Sequence, residues 1–205
     1  YQRIILQEPS NLNAHFNLGI LYYKNTHFDE ALREFNKLLE INPNDSEAYY
    51  NLGNIFNKKS LFDNAVASYK KALAIHPQDA EVFHNLGNTY ANKGMIDDAI
   101  SAYRKAVEIN PNLAESHKSV AYLYKKKGQI SESVSSFEKA TTFHPKDTNL
   151  LFDLASLYES NGLQDNAILT YKKLLSIDPA HKEAKNSLAM LYNSKGVSLA
   201  SFIFH

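Results

Sequence analysis

Every proline in the chain falls on one 34-residue period: Pro9, Pro43, Pro77, Pro111, Pro145 and Pro179. The seven glycines fall into two columns of the same period. Gly19, Gly53 and Gly87 form one, continued by Ala121, Ala155 and Ala189; Gly94, Gly128, Gly162 and Gly196 form the other. Proline fixes the backbone and glycine frees it, so a chain that places all of both on one period repeats one local structure.

Within a period the apolar spacing is helical. Tyr49, Leu52, Gly53 and Phe56 stand at i, i+3, i+4 and i+7, on one helix face. Leu61 and Phe62 then lead to Ala65, Tyr69, Ala72 and Leu73, a second amphipathic helix. Asp45, Ser46 and Glu47 place capping and acidic residues where a first helix starts, and Asp97 with Asp98 does the same for a second helix. Gly94 ends a first helix in the left-handed region, and His76-Pro77 stops a second. The small columns let antiparallel helices approach closely, with Gly53 facing Ala65 and Ala72. Two aromatic columns fill the remaining gaps: Tyr22, Phe56, Tyr90, Tyr124, Tyr158 and Tyr192, and Phe35, Tyr69, Tyr103, Phe137 and Tyr171. One hairpin cannot bury these rings alone, but stacked neighbours can.

Composition narrows the function. Lys+Arg 22 against Asp+Glu 22 argues against a broad nucleic-acid surface. The absence of cysteine excludes disulfides, a Cys zinc site and a thiol nucleophile. No apolar run approaches the ~20 residues of a membrane helix. There is no phosphate loop, dinucleotide fingerprint, zinc-protease motif or nucleophile elbow, and the repeat already accounts for every glycine. The histidines form no ligand set: His76 and His144 precede prolines, and His15 and His117 occupy a packing column. The expectation is no enzyme, no metal and no cofactor. Asn44-Asp45-Ser46 is a lone glycosylation pattern that coincides with a helix cap.

The pattern resembles the tetratricopeptide repeat, a 34-residue helix–turn–helix unit. Phe83, Leu86, Gly87, Tyr90, Ala99, Tyr103, Ala106 and Pro111 carry the likeness in the third repeat. The resemblance implies an all-α fold, a right-handed superhelical solenoid. It divides the chain into the end of a second helix (1–11), five full repeats (12–45, 46–79, 80–113, 114–147 and 148–181) and an incomplete sixth (182–205). Ser133, His15, His117 and Lys185 depart from the usual residues at their columns.

In this family the first helices line a concave groove that receives peptides. The resemblance carries that role to Asn17, Tyr50, Asn51, Asn54, His84, Asn85, Asn88, Lys118, Tyr122, Lys125 and Lys126. A carboxamide both donates and accepts, so the ladder Asn17, Asn51, Asn85 can pair with the main chain of an extended peptide. Tyr50, His84 and Tyr122 then offer apolar contact, and Lys118, Lys125 and Lys126 an attraction for acidic side chains. The ladder is similar to the repeat domain of O-linked N-acetylglucosamine transferase, which would make the chain a substrate-binding arm without a catalytic domain. The family's clamp for a C-terminal carboxylate is not matched: Lys118 is followed by Tyr122, Asp153, Glu183 and Ser187. Lys125, Lys126 and Lys127 end a helix, where cations suit the dipole, and Asp153 and Glu159 stand one repeat away to neutralise them.

The ends give a second reading. The opening residues lack an initiator methionine and a signal-peptide layout, and neither end carries a polar capping helix, as in a fragment of a longer chain. The lack of a leader and of cysteine favours the cytoplasm. Head-to-tail self-association is the alternative, with Tyr1, Ile4 and Ile5 of one copy packing on Phe202, Ile203 and Phe204 of the next.

Overall fold

The computed structural model describes residues 1–194. Among them are twelve α-helices and no strand: α1 (Gln2–Gln7), α2 (Leu12–Lys24), α3 (Phe28–Ile41), α4 (Ser46–Lys58), α5 (Phe62–Ile75), α6 (Ala80–Asn92), α7 (Ile96–Ile109), α8 (Ala114–Lys126), α9 (Ile130–Phe143), α10 (Thr148–Ser160), α11 (Gln164–Ile177) and α12 (Lys182–Ser194). Tyr1–Leu113 form one compact unit, and the described residues from Ala114 onward form a second. None of these helices is long and apolar enough to cross a membrane.

Helices pair in order, α2 with α3, α4 with α5 and α6 with α7 in the first unit, α8 with α9 and α10 with α11 in the second. Local chemistry sets the boundaries. Asn11, Asp45, Asp79 and Asp147 cap α2, α4, α6 and α10, each side chain accepting a backbone N–H of the first turn. The second helices start differently. Met95 takes the N-cap position of α7 without a side-chain bond, and Asp97 and Asp98 act from the first turn on the dipole. Gly94, Gly128 and Gly162 turn the chain between paired helices at φ near +75°. In the first two pairs Thr26 and Ser60 stand at that position, at φ 61° and 59°.

The glycine column exists for the aromatic column. A Cβ on Gly53 would lie 2.5 Å from the Tyr69 ring, and one on Gly87 2.8 Å from the Tyr103 ring. Each first helix therefore rests its bare backbone on a ring of the second, and those rings are buried. His15 fills its packing position in another way. The ring is 1% exposed, with Nδ1 2.7 Å from Glu34 Oε2 and Nε2 2.9 Å from the Pro9 carbonyl. It joins the chain after α1 to α2 and α3 by polar bonds where the second, third and fifth pairs carry Tyr49, Phe83 and Leu151.

Candidate functional site

The first helices of the second and third pairs, α4 and α6, touch directly. Their shared face carries a continuous hydrogen-bonded chain. The Tyr103 hydroxyl donates to Asn88 Oδ1 at 2.6 Å, and Asn88 Nδ2 donates to Asn85 Oδ1 at 3.4 Å. Asn85 Nδ2 donates to the Tyr50 hydroxyl at 2.8 Å and to Asn54 Oδ1 at 3.3 Å. Asn54 Oδ1 also accepts the Tyr69 hydroxyl at 2.7 Å. Burial pushes the Tyr69 phenol well above its ordinary pKa, so it keeps its proton and donates. The Tyr50 and Tyr69 rings lie 6.1 Å apart, and His84 lies 5.4 Å from the Tyr103 ring.

Beside this chain is a cleft of about 260 Å³ lined by Ser46, Glu47, Tyr50, Asn51, Asp79 and Glu81. The remaining members of the ladder stand apart from the network. Asn17 Nδ2 donates to the Asn13 carbonyl and Asn51 Nδ2 to the Glu47 carbonyl, both at 2.8 Å within their own helices. Neither side-chain oxygen accepts a hydrogen bond among the described residues. Asn85 is different, because its carboxamide is bonded at both ends.

In the second unit Tyr122 is 37% exposed and donates its hydroxyl to the Asp153 carboxylate. Burial, and then this carboxylate, raise its pKa above the ordinary phenol value. Its ring meets Phe137 edge-on at 5.1 Å. Lys118 lies 3.9 Å from Asp147 and so already has an acid within the unit. Lys125 and Lys126 occupy the last turn of α8 and are exposed. Asp153 accepts the Tyr122 hydroxyl, and Glu159 accepts the Tyr171 hydroxyl at 2.8 Å.

Sequence reasoning treats Tyr69 and Tyr103 as core and misses that their hydroxyls reach the asparagine face. The signal is present as a pairing of columns. Asn54, Asn88 and Ser156 each stand opposite a tyrosine, Tyr69, Tyr103 and Tyr171. Ile20 and Tyr122 stand at the same column opposite Phe35 and Phe137. At the chain start, Tyr1 and Ile4 are exposed on and beside α1, and Ile5 is half-buried. Phe202, Ile203 and Phe204 lie outside the described residues.

Comparison with known proteins agrees with this geometry. Models of the tetratricopeptide repeat match residues 1–45, 16–80, 80–113, 115–147 and 148–181. No curated protein matches. Among solved structures, YrrB, a TPR protein described as having an unusual peptide-binding site, is 22% identical. The match covers 91% of this chain and 96% of that one, with a TM-score of 0.73. MamA is 26% identical over 82% of this chain and 97% of its own, with a TM-score of 0.72. TTC0263, a thermophilic TPR protein of Thermus thermophilus, is 25% identical over 89% and 99%, with a TM-score of 0.56. With paired helices, a glycine column seated on aromatic rings and a period that family models match from end to end of the five pairs, the chain belongs to the tetratricopeptide repeat family.

Proposed function

We propose that the chain is a non-catalytic scaffold that holds an extended segment of a partner protein along the face of its first helices. The observation that carries this reading is the carboxamide and phenol row of the first unit. Tyr50, Asn51, Asn54, Asn85 and Asn88 crowd polar hydrogen-bonding groups onto one half-buried surface with a cleft beside it. Such groups pair with a peptide main chain without reading its side chains. The unusual peptide-binding site ascribed to YrrB supports the reading, as the two share a fold. The second unit has a face of its own, where the Tyr122 ring is exposed and Lys125 and Lys126 offer charge to acidic side chains.

The test is a short peptide selected from a random display library against the whole chain, titrated with fluorescence anisotropy. The double variant Asn51→Ala, Asn85→Ala removes the Asn51 carboxamide and the Asn85 amide that braces Tyr50 and Asn54, at about 0.5–1.5 kcal/mol each. Binding weakened by roughly an order of magnitude supports the assignment. Unchanged binding by a variant that keeps its helical circular dichroism contradicts it.

A further inference from the structure

The hydrogen-bonded chain between α4 and α6 has a direction. Asn54 Oδ1 accepts twice, from Tyr69 and from Asn85, and its amide nitrogen has no partner among the described residues. Asn88 Oδ1 is taken by Tyr103, and one of its amide hydrogens by Asn85. Asn85 spends both amide hydrogens, on Tyr50 and on Asn54. The Tyr50 oxygen accepts from Asn85, which leaves its own hydrogen to give. The unbonded hydrogens of this row are both amide hydrogens of Asn54, one of Asn88 and the hydroxyl of Tyr50, while Asn54 Oδ1 is filled and the Asn85 and Asn88 oxygens are each engaged once from within the row or the core.

We infer that Tyr69 and Tyr103 are positioning residues, which hold the Asn54 and Asn88 oxygens inward so that this face presents N–H and O–H donors to main-chain carbonyl oxygens of the bound segment. This rests on the function proposed above and adds which atoms of the ligand are read. The column pairing supports it independently. A tyrosine stands on the second helix where the first helix carries Asn or Ser, and a phenylalanine where it carries Ile20 or Tyr122. The buried hydroxyl is therefore matched to a polar partner, and Asn54 and Asn88 are oriented from below by the core. A carboxamide fixed by a buried donor binds without first losing rotational freedom.

The experiment uses the whole chain and the display-selected peptide. Tyr69→Phe with Tyr103→Phe keeps the ring that Phe35 and Phe137 supply in other pairs, so the fold persists, as a thermal melt would confirm. Asn54→Asp with Asn88→Asp keeps an acceptor for each tyrosine but removes the outward donors. We expect each double variant to bind the peptide about tenfold more weakly. Wild-type binding by the aspartate variant would overturn the donor assignment, and wild-type binding by the phenylalanine variant would overturn the positioning role. A second readout needs no ligand: the side-chain amide resonances of Asn54 and Asn88 in nitrogen-15 spectra. They shift in the phenylalanine variant while those of Asn17 and Asn51 stay in place; unmoved resonances overturn the positioning role. Failure of every peptide to bind the wild-type chain overturns the scaffold function instead, and the spectra still decide whether the tyrosines orient the amides.

Discussion

The Tyr69 hydroxyl donates to Asn54 Oδ1 at 2.7 Å, and the same bond joins Tyr103 to Asn88 at 2.6 Å. Both pairs span fifteen residues, from the first helix of a hairpin to the second. The bond ties the core of each hairpin to the surface on which a partner would lie. Asn54→Ile alone strands a buried phenol and should cost about 1–3 kcal/mol. Asn54→Ile with Tyr69→Phe recreates the Ile20 and Phe35 combination and should recover most of that loss. A double-mutant cycle in urea should give a coupling of about 1 kcal/mol; additive effects would show that the bond contributes nothing to stability.

The turn between paired helices makes a second prediction. Thr26 and Ser60 hold φ of 61° and 59°, where Gly94, Gly128 and Gly162 stand in later pairs. The left-handed region costs a side chain about 1–2 kcal/mol. Thr26→Gly and Ser60→Gly should each raise stability by up to about 1 kcal/mol, because glycine's greater unfolded-state entropy offsets part of the gain. Gly94→Ala is the control, since a Cβ there meets nothing within 4 Å. Its loss of stability isolates the backbone term, and a neutral result would contradict the strain argument.

The glycine column predicts an order of effects. A Cβ would approach the facing ring to 2.5 Å at Gly53, 2.8 Å at Gly87 and 2.9 Å at Gly19. Alanine gains about 0.8–1 kcal/mol in helix propensity and loses about 1–3 kcal/mol to overpacking. Thermal melts should therefore rank Gly53→Ala as the most damaging and Gly19→Ala as the least. Ala121 and Ala155 stand at the same column in the fourth and fifth hairpins and are fully buried there.

His15 carries a fourth. Its two ring nitrogens face the Glu34 carboxylate and the Pro9 carbonyl. His15→Phe supplies the aromatic that Phe83 provides in the third hairpin but leaves the Glu34 carboxylate and the Pro9 carbonyl without a polar ring beside them. The expected loss is about 1–3 kcal/mol, read as a lower urea midpoint. A midpoint equal to that of the parent chain would mean that only ring volume matters at this position.

The repeat and its helices were legible because proline, glycine and aromatic residues act locally, and each of Pro43, Gly94 and Tyr69 marks a place in the period. The asparagine face was legible only as a set of positions. Which way a carboxamide turns depends on what lies beneath it, and the Tyr69 and Tyr103 hydroxyls arrive from the second helix. Lys118 reads in the sequence as a cation available to a ligand, yet Asp147 lies 3.9 Å from it. Pairings of this kind span a repeat, and a single helical pattern does not contain them. Likewise, Asn51 and Asn85 each open the same Asn-Leu-Gly-Asn run, although one amide turns back on its own helix and the other bridges two.

Nuclear magnetic resonance mapping of the whole chain with a display-selected peptide addresses the central assignment most directly. The account predicts that the side-chain amides of Asn51, Asn54, Asn85 and Asn88 shift with peptide concentration. Shifts confined to the second helices α3, α5 and α7, with these amides unmoved, would contradict it.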